Sequence, residues 1–167
     1  MTTATKSRAT VEVSPTEPVA VITRTLDAPR DIVWRAISQP EHLVQWWGPH
    51  GYTNRVAGYD FRVGGKWRIE TTDTKGQQFN FHGEFREIAA PGKIVQTFGM
   101  EGMWDGRYSV DSLTLTADRK RTIYRIVSRF PSIADRDFMI ASGMEKGMNE
   151  GFERLDALLA ELSRNAG

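Results

Sequence analysis

Proton transfer or charge stabilisation inside a protein needs polar groups that converge, and this chain offers few of them. His42, His50 and His82 share no metal-ligand spacing, and the sequence holds no cysteine, so a zinc site would need carboxylates that no motif supplies. The three histidines read better as structural or solvated; His50, directly after Trp46-Trp47-Gly48-Pro49, is the best placed near a cavity mouth. Arg62 lies between Phe61 and Val63 and, if buried, requires a carboxylate from Asp60, Glu70 or Glu84, an ion pair that would hold a sheet. An enzyme of cyclase, dehydratase or hydrolase type would draw on His50, Arg62 or Glu70. Ser112 and Ser128 have no evident histidine and acid beside them, and Gly64-Gly65 reads as a turn between strands rather than a phosphate loop. No catalytic residue, metal ligand or cofactor is assigned.

Material for apolar binding is richer. Trp47, Phe61, Trp67, Phe79 and Phe81 could line a cavity with Phe98, Trp104, Tyr124, Met144 and Met148, the methionines adding polarizable, adaptable walls. The same residues would also make an ordinary packed core, and both readings stand. Adjacent indoles on a helix point about 100° apart, so one of Trp46 and Trp47 can enter a core while the other meets another surface, a loop or a ligand. The expectation is Trp46 nearer the fixed core and Trp47 nearer ligand space. Between Gly99 and Tyr108, Met100, Met103 and Trp104 read either as a lip over one end of a cavity or as a hairpin turn with surface aromatics.

The elements that must position these residues follow from periodicity. Residues 1–18 are rich in Thr, Ser, Glu and Pro without a sustained period and read as a disordered tail, leaving residues 19–163 as a single domain. Alternation from Val19 to Leu26 predicts a strand. Ile32, Val33, Ala36 and Ile37 repeat at helical spacing over Asp31 to Ser38, and Pro40 restarts the chain as a second short helix that Gly48-Pro49 stops. Six strands are then expected at Arg55 to Phe61, Lys66 to Asp73, Gln78 to Ala89, Ile94 to Glu101, Val110 to Ala117 and Arg121 to Phe130. Phe79, Phe81 and Phe85 share an inward face opposite His82, and Tyr124, Ile126, Ser128 and Phe130 share one in the last strand. Ser132 and Asp135 form a capping-box pattern, and one continuous helix from Ile133 to Leu162 would be about 45 Å long. Gly143, Gly147 and Gly151 fall every four residues along it, and close approach to the sheet is the favoured reason, room for a ligand the sharper one.

Composition removes other classes. Twenty-two basic and twenty-one acidic residues give a formal net charge of +1, no field for nucleic acid or an anionic membrane surface. No apolar run approaches the ~20 residues that cross a bilayer, and the N-terminus lacks a signal core. A soluble protein of the reducing cytoplasm fits the composition.

Strand, two short helices, six antiparallel strands and a long helix make an α+β helix-grip arrangement of about seven strands. At this point the chain resembles the START-like superfamily (SRPBCC, Bet v 1-like), and within it the family homologous to the C-terminal domain of the activator of heat-shock protein 90 ATPase. The residues that carry the resemblance are Ala28-Pro29 with Val33-Trp34-Arg35-Ala36, Trp46-Trp47-Gly48-Pro49, Phe61 to Trp67, His82-Gly83-Glu84, and Gly143 to Met148 leading into Arg154-Leu155. The resemblance implies a deep apolar cavity between sheet and long helix that holds a lipid or other hydrophobic small molecule. It also keeps open a protein-interaction role, chaperone-linked or as a homodimer, for which an exposed patch around Met100, Met103 and Trp104 would speak.

Overall fold

The computed structural model describes residues 8–166. Eight strands make one antiparallel sheet, named in chain order β1 (Thr10–Val13), β2 (Val19–Leu26), β3 (Thr53–Tyr59), β4 (Lys66–Thr72), β5 (Gln78–Ala89), β6 (Lys93–Met100), β7 (Ser109–Asp118) and β8 (Arg121–Arg129). Their spatial order is β1-β2-β8-β7-β6-β5-β4-β3, so β2 pairs with β8 at the far end of the chain. Four helices complete the α+β helix-grip fold: α1 (Arg30–Ser38), α2 (Pro40–Trp46), α3 (Ile133–Ala141) and α4 (Met144–Ala166).

Alternation sets the inner face. On β2, Ala20, Ile22, Arg24 and Leu26 are buried while their neighbours are only half-buried. Phe152, Leu155, Leu158, Leu159 and Leu162 form the buried stripe of α4, and they join Val33, Ala36 and Ile37 of α1 with Ile69 and Phe85 of the sheet in one core. Arg24 enters this apolar layer because Asp156 of α4 meets it with two hydrogen bonds of 3.0 and 2.6 Å, and its guanidinium lies 5.4 Å from the Phe152 ring centroid.

Three expectations are corrected. The tail is in part a strand: β1 pairs with β2 from Thr10↔Thr23 to Val13↔Ala20, which raises the sheet from seven strands to eight. Its anchors are distant in sequence, since Arg136 of α3 donates to the carbonyls of Ser14 and Glu17 at 2.6 and 2.7 Å and Asn149 accepts from the Ala9 amide at 3.2 Å. The remainder of the expected tail, residues 1–7, lies outside the described residues. Second, the long helix is two helices. Ser132 caps α3 by accepting from the Asp135 amide at 3.0 Å, and Gly143, at φ +89°, ends it in the left-handed conformation that glycine adopts without strain. Third, Gly147 and Gly151 approach the turn after α2 rather than the sheet. A Cβ on Gly147 would stand 3.4 Å from Pro49 Cγ, and one on Gly151 3.4 Å from the Trp46 carbonyl oxygen. Among the described residues no helix is long and apolar enough to cross a membrane.

Candidate functional site

The turn that follows α2 is built to hold two indoles. Trp47 is the last residue whose amide bonds back into the helix, to the Leu43 carbonyl at 3.1 Å, and its own backbone is already extended. Gly48 then takes φ +84°, a conformation that turns the chain sharply. Carbonyls freed by the turn are collected by two side chains from other elements. Arg154 of α4 donates through Nη1 to the carbonyls of Trp47, Gly48 and Pro49 at 2.9–3.0 Å, and Asn54 of β3 donates to those of Val44 and Trp47 at 2.9 and 2.7 Å. Burial lowers the pKa of Arg154. Thr71 of β4 in turn donates to Asn54 Oδ1 at 2.9 Å, so the turn is bolted to both sheet and helix.

From this mount Trp46 donates its indole N–H to the Ala36 carbonyl of α1 at 2.9 Å, while Trp47 extends to Trp67, Phe81 and Phe98, with ring centroids 5.8, 5.7 and 6.3 Å away. Both indoles remain half-buried because two adjoining cavities open beside them. The smaller, about 180 Å³, lies over the middle of the sheet, and Tyr59, Trp67, Ile69, Phe85, Gln96 and Leu113 are among its walls. The larger, about 370 Å³, lies between the sheet and the α3–α4 helices, where Met139, Met144, Met148 and Phe152 face Phe81, Ser128 and Phe130. Trp46, Trp47, Phe98, Asp111, Tyr124 and Ile126 border both.

Among the residues nominated from sequence, Trp47, Trp67, Phe81, Phe98, Tyr124, Met144 and Met148 stand on these walls. Phe61 does not. It follows the end of β3, stacks on Tyr59 at 5.9 Å and meets Phe85 edge-on at 5.0 Å. Phe79 shares the face of Phe81 but pairs with Thr71 near the β4–β5 turn, away from both cavities. Trp104 opens a single 3-10 turn, Trp104–Gly106, and its side chain lies outside the described atoms. The three polar candidates are elsewhere: His50 is exposed, 3.6 Å from Glu153; Arg62 is exposed and pairs with Asp60 at 2.8 Å; Glu70 pairs with Arg55.

What sequence reasoning missed is a polar row on the cavity floor. Gln96 of β6 sits opposite Asp111 of β7, and Asp111 opposite Ser128 of β8, so three polar side chains cross three strands on one face. The signal was present. In Asp111, Leu113 and Leu115 of β7 the alternation puts an acid on the same face as two leucines. Ser109 Oγ lies 3.3 Å from Asp111 Oδ1 and 3.4 Å from the Phe98 carbonyl, so one hydroxyl proton serves two acceptors. Loss of hydration pushes the Asp111 carboxyl up to about 6, against an opposing pull from the hydrogen bonds of Ser128 and Ser109. Tyr124 is held neutral far above its ordinary range, first by burial and then by the negative charge of Asp111. Among the described residues that line the two cavities, Asp111 alone carries a formal charge.

Comparison with known proteins agrees with this architecture. The family model described as Activator of Hsp90 ATPase homolog 1-like protein matches residues 27–160. A solution structure of a protein from Arthrobacter aurescens is 28% identical over 91% of each chain, with a TM-score of 0.83. A crystal structure from Chromobacterium violaceum is 26% identical, covers 84% of this chain and 96% of its own, and has a TM-score of 0.72. One from Mycobacterium smegmatis, at 22% identity and a TM-score of 0.82 over 90% of this chain and 96% of its own, shares the fold. No curated protein matches the chain.

Proposed function

From the premise that this chain belongs to the activator of Hsp90 ATPase homolog 1-like family, we propose that it binds a hydrophobic small molecule between the sheet and helices α3 and α4. The carrying observation is the apolar chamber of about 370 Å³ continued by one of about 180 Å³. Protein interiors normally close to crystal-like density, and small-molecule pockets fall at about 300–1,000 Å³, so a void of this size beside a fixed aromatic wall is suited to a guest. The flexible thioethers of Met139, Met144 and Met148 lie on the helix side and can adjust to its shape.

An enzyme reading based on His50, Arg62 and Glu70 finds no support in this site, because none of the three lines either of the two cavities. A protein-docking patch at Met100 and Met103 is weakened by their half-buried state, with Met103 packed against Ala20 and Phe130.

The test is thermal unfolding of the purified protein against a panel of aromatic, steroidal and aliphatic molecules, with native mass spectrometry for any co-purified guest. A ligand present at a hundred times its Kd adds about 2.7 kcal/mol of stability. For a domain of this size that raises Tm by about 5–10 °C. A panel without any shift, and an empty protein in the mass spectrum, would remove the proposal.

A further inference from the structure

The position of Asp111 narrows the class of guest, and the step rests on the binding function proposed above. A lone carboxylate on the floor of an apolar chamber is costly unless something compensates its charge. Here the compensation is incomplete. Ser128 and Ser109 supply hydroxyl donors, the latter shared with the Phe98 carbonyl, and among the described residues no cationic side chain lines either cavity. The charged residue on the inner face of β2, Arg24, lies opposite Tyr124 rather than in the Asp111 row and is engaged by Asp156. Around the carboxylate stand Trp46, Trp47, Phe98 and Tyr124, whose ring faces carry negative potential.

We infer that the guest is a hydrophobic amine, bound as its ammonium ion with the charge on Asp111 and the apolar body among the aromatic and methionine walls. Each feature of the floor fits an ammonium. Its N–H groups can donate to the Asp111 carboxylate and, beside it, to the Gln96 amide oxygen and the hydroxyl oxygens of Ser128 and Tyr124. Aromatic faces attract a desolvated organic cation by about 2 kcal/mol or more. An anionic amphiphile meets the opposite conditions, because a second carboxylate beside Asp111 must either stay protonated or face a like charge in a poorly hydrated site. Fatty acids and other anionic lipids are therefore rejected by the same residue that selects amines.

Naphthylethylamine, naphthylethanol and naphthylacetic acid present one ring system with positive, neutral and negative heads. Titrated by calorimetry into the wild-type protein at pH 7.5, the amine should bind at least tenfold more tightly than the alcohol, and the acid more weakly than both. In Asp111→Asn the amine should lose its advantage over the alcohol, whatever the change in the affinity of each. Groups facing Asp111 are Gln96 from β6, Ser109 on β7, Ser128 and Tyr124 from β8, and the apolar side chains of α2 and α4, so protonation of Asp111 itself governs the pH response. The amine preference should accordingly shrink as pH falls below about 6. If the alcohol binds and the amine shows no advantage, or the acid binds equally well, the inference falls while the binding function stands. Binding by none of the three, in a protein that a wider neutral panel also leaves unshifted, overturns both. The wild-type series decides the matter even if the variant is poorly folded.

Discussion

A single carboxyl group makes the stability of this protein a function of pH. Asp111 has its pKa raised from 3.8 to about 6 in the folded chain, so between those values the folded state binds more protons than the unfolded one. Stability then falls as pH rises through that window. Protonated Asp111 is the favoured form, and its advantage is complete below the unfolded pKa and gone above the folded one. A shift of this size corresponds to about 3 kcal/mol at most. Urea unfolding at intervals from pH 4 to pH 7.5 should show Asp111→Asn with a flatter profile than wild type, gaining relative to it as pH rises. Parallel profiles would mean that the carboxylate keeps its hydration in the cavity.

At the level of elements, the aromatic wall depends on how its mount is secured. Arg154 reaches from α4 to three consecutive carbonyls, and hydrogen bonds to charged groups contribute about 1.5–3 kcal/mol each when formed well, less when one nitrogen is shared. Arg154→Met keeps the aliphatic stem and removes the donors. We expect a loss of about 2 kcal/mol in chemical denaturation together with a reduced near-ultraviolet signal from the loosened indoles. The break between α3 and α4 has its own marker. Gly143→Ala must place a Cβ at φ +89°, a strain of about 1 kcal/mol, with open space around it and hence no added clash. Equal stability of wild type and Gly143→Ala in guanidinium would show that the two helices can merge into one.

For the whole molecule, local periodicity carried most of the architecture. Val19 to Leu26 and Gln78 to Ala89 coincide with β2 and β5, and the Ser132 cap was visible as a short motif. Interactions across the chain were not visible. Arg136 and Ser14 stand 122 residues apart, and nothing near Thr10 announces that this guanidinium will order it. The cavity was illegible for another reason: Trp47, Phe98 and Met148 are the same residue types whether they fill a space or surround one. Asp111 was the exception, since an acid in phase with Leu113 and Leu115 is a departure from strand alternation that aromatic residues nearby overshadowed.

The order of the strands also governs how quickly the chain can find its fold. Thr72 and Gln78 pair across a short turn, whereas Val19 meets Arg129 from the opposite end of the domain. Bringing together segments separated by some hundred residues costs about 2.5 kcal/mol more chain entropy than closing such a turn. The β3 to β8 meander can assemble from neighbouring pairs, and β2 must wait for β8. Until it docks, the unpaired edge of β8 is open to another chain, so concentration during refolding should matter more for this protein than its small size suggests.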